Sequence, residues 1–280
     1  MILRPDFYDR FRCLASACRH SCCRGWEIDV DDDSAAFYRS LEGDLGQALE
    51  AALFEDEEGW HFRLDPEERC PFLQRDGLCR LICELGEEAL CDICALHPRF
   101  FQELGEHELW GLGLSCEAVS GLLWRRDGPL LFLSDADETP LDFPALLEAL
   151  GLDFPRPLLR HRPHITRERI EQVCRAMADT EPIDGHWVQE VSATAAVPPP
   201  SGDPFRGREG AWQRVYQYWI YRQLERLEEY GLSALLAFAR DSTEFVFLQD
   251  ALRPDTAEHL RRWSEQIEYS TENVKILLND

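Results

Sequence analysis

Ten of the eleven cysteines in this 280-residue chain fall before residue 117, and their spacing raises the first chemical question. Cys13, Cys18, Cys22 and Cys23 read C-x4-C-x3-C-C, and Cys91 and Cys94 read C-x2-C. Gaps this short let one loop offer two thiolates to one metal while the other ligands arrive from distant segments. Between the two groups lies CPFLQRDGLC, Cys70 to Cys79, whose Asp76–Gly77 is a two-residue hairpin signal that draws its arms together. Adjacent side chains point apart, so vicinal Cys22 and Cys23 are expected to serve two different ligation points. Cys116 falls in the first turn of a helix that Ser115 would cap, where the positive helix end favours a thiolate. Cys174, with Ile170, Val173 and Met177 at helical spacing, reads as a core thiol, and Cys83 reads as packing.

Metal ligation is a better reading of these thiols than disulfide formation. The start, MILRPDFYDRFRC, carries charges at Arg4, Asp6, Asp9 and Arg10 and no apolar run, so it is no secretory signal. No stretch approaches the length of a membrane span, and a cytoplasmic protein is expected. The cytosol keeps thiols reduced, and an odd cysteine count does not pair off. An all-thiolate set suits zinc and an iron–sulfur cluster equally. His20, His61, His97 and His107 are scattered singly and read as surface or packing residues; only His20, inside the first cluster, stays open as a ligand. The C-x3-C-x2-C pattern of radical S-adenosylmethionine enzymes is absent.

The charge balance, 53 acidic against 29 basic side chains for a net −24, excludes the basic footprint of a nucleic-acid binder. It favours cationic partners such as a lysine-bearing protein surface, and it also serves solubility. No G-x-G-x-x-G stands between a strand and a helix, and no Ser–His–Asp arrangement can be argued from spacing.

The elements that must position the cysteines are mixed at first and helical later. Residues 26–31 and 60–65 read as short strands, and 34–54 as a helix interrupted near Gly43 and Gly46. RFFQELGEHELWGLGLS reads as a hairpin turning near Gly105. Residues 127–165 are proline-rich and irregular, with a short helix near 142–151. A further helix over 166–179 is opened by Thr166. AVPPPSGDP (196–204) is a loop, and helices follow to the end of the chain, with a stop at Gly231. Trp212, Tyr216, Trp219 and Tyr221 have the spacing of core packing rather than of a cage for a cation. The expected fold is mainly α with small irregular β elements (α+β), a cysteine-rich metal-binding N-terminal part packed against a C-terminal helical part. The expected domains are 1–126, cysteine-rich; 127–204, a proline-rich connection; and 205–280, helical.

The segments FRCLASACRHSCCRGWEIDV, RCPFLQRDGLCRL, LGEEALCDICALHPRF and LGLSCEA resemble the flagellin lysine-N-methylase (FliB) family. More distantly they resemble the YkgJ-type cysteine-cluster proteins described as zinc- or iron-chelating. RVYQYWIYRQL and EQIEYSTENVKILL are similar to that family's tail, and the likeness is weak from about 127 to 204. The resemblance implies a cytosolic enzyme that moves a methyl group from S-adenosylmethionine to lysine amines of flagellin and needs a cysteine-bound [4Fe–4S] cluster. Its cysteine positions fall on Cys13, Cys18, Cys22, Cys23, Cys70, Cys79, Cys91, Cys94 and Cys116, and its proline–arginine element on Pro98 and Arg99. Glu117 replaces a proline usual after the last cysteine, and Cys83 is not a family position. Nine candidates exceed the four ligands of one cluster, so a second metal ion or structural thiols are expected beside it.

A lysine amine must lose its proton before attacking a methyl sulfonium, so a nearby carboxylate or tyrosine is expected as base. A radical route would instead need an iron with an open position. Arg99 is the candidate for a carboxylate contact, either to the methionine carboxyl or to a structural acid. The competing reading is a non-enzymatic zinc- or iron-binding module with closed thiolate sites. A third is a partner-binding protein in which the metal only staples the first domain.

Overall fold

The computed structural model describes residues 1–136 and 139–279. With 53% helix and 12% strand in small sheets it has the α+β character expected. It divides into two units, Arg12–Arg99 and Met1–Phe11 with Phe100–Asp280. The boundaries expected at 126 and 204 are therefore not where the chain divides, because β1 (Ile2–Pro5) pairs far along the chain. It runs parallel to residues 107–112 and antiparallel to residues 131–134. The N-terminal segment thus joins the unit that holds the C-terminal helices.

In the smaller unit, the strand expected at 26–31 shortens to β2 (Asp29–Val30). Asp31 then N-caps α1 (Asp32–Ser40), its carboxylate accepting the Ser34 N–H at 2.8 Å. The interruption expected near Gly43 separates α1 from α2 (Gly43–Ala52). Leu53, expected in a helix, instead begins β3 (Leu53–Glu55), which pairs antiparallel with β4 (Trp60–Phe62). β4 also pairs with β2, giving the order β2-β4-β3. The Asp76–Gly77 turn forms as read: Leu73 and Cys79 bridge antiparallel, and Gly77 takes φ 83°, which favours glycine. Two short helices, α3 (Arg80–Leu85) and α4 (Asp92–Leu96), begin directly after Cys79 and Cys91. The core is Tyr38, Leu49, Phe62, Phe72 and Leu81, with Cys70 and Cys91 buried among them.

In the larger unit, β5 (Arg99–Leu104) and β6 (His107–Leu112) are the hairpin expected at Gly105. Gly111 belongs to that hairpin's packing: a Cβ there would lie 2.1 Å from the Phe100 ring. α5 (Glu117–Arg125) begins one residue later than expected, with Cys116 rather than Ser115 at its N-cap. The proline-rich segment holds two strands not foreseen, β7 (Leu131–Ser134) and β8 (Leu141–Asp142), which complete the order β5-β6-β1-β7-β8. α6 (Phe143–Ala149) lies inside the span expected for a short helix. Thr166 caps α7 (Arg167–Ala178) as expected, accepting the Arg169 N–H at 3.2 Å. α8 (Gly185–Ala195) was not foreseen. The loop at 196–204 leads to α9 (Glu209–Arg222) and α10 (Leu227–Leu252), the latter kinked at Gly231 with φ 79°. α11 (Thr256–Ile267) and α12 (Thr271–Asn279) follow.

Trp212, Tyr216, Trp219 and Tyr221 are all core, none more than 2% exposed. Burying a tyrosine requires a partner for its hydroxyl. Tyr218 donates to Leu112 O at 2.7 Å, and Tyr221 lies 3.0 Å from Leu3 O and 2.8 Å from Trp110 O, which ties α9 to the sheet. Cys174 is buried in this core, which pushes its thiol up to about 11. Among the described residues no helix is long and apolar enough to cross a membrane.

Candidate metal centre

The centre of the smaller unit is assembled from three stretches of chain that the sequence spaces far apart. The first is the turn holding Cys22 and Cys23, the second the Cys70–Cys79 hairpin, and the third the Cys91–Cys94 helix. The Cys70 N–H donates to Cys23 O at 2.9 Å, joining the first two. Asp31 joins the third: one carboxylate oxygen caps α1, and the other accepts the Asp92 N–H of α4 at 2.9 Å. These two bonds hold the Asp31 carboxyl below its ordinary range against the effect of burial.

The sulfurs influence one another. The Cys22 thiol hydrogen-bonds to Cys23 and lowers it to about 6, despite burial, with Ser21 helping. This corrects the expectation that the vicinal pair points apart: residues 22 and 23 form a turn, not an extended pleat. The Cys94 thiol donates to Cys91, which lowers Cys91 and raises Cys94; burial and the charges of Cys91, Cys23 and Cys70 raise Cys94 further. Burial, with Cys23 and Cys79 nearby, pushes Cys70 up to about 12, and burial also raises Cys79. Tyr38 lies fully buried beside Cys91, its hydroxyl donating to Ala89 O at 2.7 Å. Burial and then the Cys91 charge raise it.

Cys13 is exposed and accepts the Ala15 N–H at 3.3 Å, and Cys18 donates to His20 O at 3.3 Å. Cys116, in the larger unit, stands at the N-cap position of α5. Cys83, expected to pack, is exposed, with the Gln74 amide 3.5 Å from its sulfur. Arg99 begins β5 and is half-buried. His61, expected as an ordinary surface or packing residue, is buried with Nδ1 3.1 Å from Asp29 and Nε2 3.1 Å from Asp56. Burial lowers its pKa, but the bonds and charges of Asp56 and Asp29 outweigh this and leave it raised. A cavity of about 590 Å³ nearby is lined by Asp29, Asp31, Asp32, Glu58, Asp92 and Trp60.

The donor chemistry of this group fits a thiolate-held metal. Cys70, Cys79 and Cys94 are held in the thiol form, and each feels a neighbouring sulfur charge. A cation among them reverses that penalty, because thiolate ligands give up their protons to the metal. As the side chains stand, no group of three or more His, Cys, Asp or Glu among the described residues could hold a metal ion. Tyr38 and Asp31 are site neighbours that sequence reasoning passed over, and His61 was read there only as a surface or packing residue. The acidic run DVDDDS before a helix was the one signal for Asp31.

Over 173 residues, 57% of this chain, the protein is 30% identical to a lysine-N-methylase of Salmonella typhimurium (strain LT2), the match covering 42% of that relative. It is 29% identical over the same length to a lysine-N-methylase of Salmonella choleraesuis (strain SC-B67), again covering 42% of the relative. It is also 29% identical over 125 residues, 42% of this chain, to the flagellar biosynthetic protein FliU of Salmonella muenchen, covering 74% of that protein. The matched part thus spans about two fifths of the lysine-N-methylases. No family model and no solved structure matches the chain. These matches agree with the resemblance read from the sequence: over part of its length the chain is similar to proteins named lysine-N-methylase and to FliU.

Proposed function

We propose that this chain serves S-adenosylmethionine-dependent N-methylation of lysine amines on a protein substrate, flagellin, in the cytoplasm. The similarity to proteins named lysine-N-methylase carries the reading. The flagellar name of a third relative supports flagellin as the acceptor. The net charge of −24 supports a lysine-bearing partner through long-range attraction.

Cys23, Cys70, Cys91 and Cys94 would hold a [4Fe–4S] cluster, with Cys22 and Cys79 beside them. A bound cluster supplies redox or Lewis-acid chemistry to that place. The chain's own residues would position it: Asp31 fixes the start of the Cys91–Cys94 helix, and Tyr38 packs against Cys91. Arg99 remains the candidate for a carboxylate contact.

The burial of Cys70 and Cys91, 7% and 1% exposed, favours a second reading, a closed zinc or iron site that serves structure alone. The deciding test incubates anaerobically purified protein with methyl-labelled S-adenosylmethionine and flagellin. Label on flagellin lysines, lost in Cys91→Ser, supports the methylase. No label from protein that is fully loaded with iron and sulfide overturns it.

A further inference from the structure

A second cavity, of about 760 Å³, lies in the larger unit and has the opposite charge to the chain as a whole. Arg160, Arg162, Arg169 and Arg240 line it together with His161 and a single carboxylate, Glu244. Its floor is built and locked. Glu244 and His161 have side chains only 4% and 7% exposed, with His161 Nε2 2.9 Å from one Glu244 oxygen. Arg169 Nε stands 2.5 Å from the other Glu244 oxygen, and its Nη2 pairs with Asp241. Glu244 is thus already engaged by Arg169, with His161 close beside it.

Arg160, Arg162 and Arg240 are exposed, and among the described residues none of them makes an ion pair. Arg240 donates only to Leu236 O, at 3.2 Å. Although the chain has 53 acidic side chains, Glu244 is the one carboxylate lining this cavity among the described residues, and it already pairs with Arg169. Three like charges line one concavity. Like charges placed together repel, and that repulsion is relieved when an anion with several oxygens enters. The planar guanidinium matches both carboxylate and phosphate in two-point contacts. The volume lies in the range of small-molecule sites.

We infer that this cavity binds a small anion carrying two or more phosphate or carboxylate groups, held by Arg160, Arg162 and Arg240 above the Arg169–Glu244–His161 floor. The test is titration calorimetry on the full chain at low ionic strength with two probes, fructose 1,6-bisphosphate and tricarballylate. Saturable binding of at least one probe is expected, weakened about 10-fold or more in the Arg160→Ala/Arg162→Ala double variant and in Arg240→Ala. These residues are exposed, so the variants should keep the wild-type melting temperature. Tighter binding of the bisphosphate assigns a phosphate ligand, and tighter binding of the tricarboxylate assigns a carboxylate ligand. No saturable heat with either probe up to millimolar concentration, or undiminished affinity in the variants, overturns the inference.

Discussion

Asp31 offers the sharpest test of how the fold of the smaller unit serves the thiols. Its carboxylate caps α1 through Ser34 N–H at 2.8 Å and anchors the start of α4 through Asp92 N–H at 2.9 Å. Asp31→Ala removes both. Loss of the N-cap costs about 1 kcal/mol. Loss of the second charged acceptor, at a partly exposed position, costs about 1 kcal/mol more. A total near 2 kcal/mol, with a urea slope of roughly 1–1.5 kcal/mol/M for a unit of this size, lowers the midpoint by about 1.5 M. Asp31→Asn keeps one oxygen and should lose about half as much. The carboxyl is held below its ordinary value, so its stabilisation is full above the unfolded value near 4 and disappears as pH falls through the lowered folded value. Because α4 carries Cys94 and begins directly after Cys91, metal affinity measured by chelator competition should fall about 10- to 100-fold, as for other groups that orient ligands. Asp32, exposed in the first turn of α1, provides the control. If Asp31→Ala unfolds at the same urea concentration as Asp32→Ala and holds metal equally well, the reasoning fails.

Three further outcomes follow from the geometry. Cys23→Ser, Cys70→Ser and Cys94→Ser should each reduce metal content measured by elemental analysis, whereas exposed Cys83→Ser and core Cys174→Ser should not. His61 has a raised folded pKa, so its contribution to stability is full below the unfolded value near 6.5 and is lost as pH rises through the folded value. Urea midpoints from pH 5.5 to 8 should therefore decline in the wild type and flatten in His61→Gln. Arg214 is buried and donates to the carbonyls of Leu123, Trp124, Arg126 and Gly128 at the end of α5. Arg214→Met strands these acceptors and should cost about 3 kcal/mol, seen as a lower melting temperature.

Local signals in this sequence were legible, and long-range pairing was not. Thr166, Asp76–Gly77, Gly105 and Gly231 each act within a few residues, and each stands where it was read. β7 and β8 were missed because short strands in a proline-rich segment carry little periodicity; β7 gains its place by pairing with β1, and β8 by pairing with β7. The same non-local pairing moved the domain boundary, since nothing in Ile2–Pro5 announces a partner at Glu108 and Leu109. At the candidate centre the cysteine spacing pointed to the segments, but not to the vicinal contact of Cys22 with Cys23, which depends on a turn. Nor does any spacing rule bring Tyr38 to Cys91; burial of the amphipathic face of α1 does that.

The cluster proposed on Cys23, Cys70, Cys91 and Cys94 can be measured directly. The direct measurement is iron, zinc and acid-labile sulfide analysis with an absorption spectrum, on wild-type protein and on Cys91→Ser, both purified without oxygen. Iron with equimolar sulfide and a broad visible band is expected in the wild type, and loss of all three in the variant. Zinc alone, with no sulfide and no colour, or an unchanged iron content in Cys91→Ser, would contradict it.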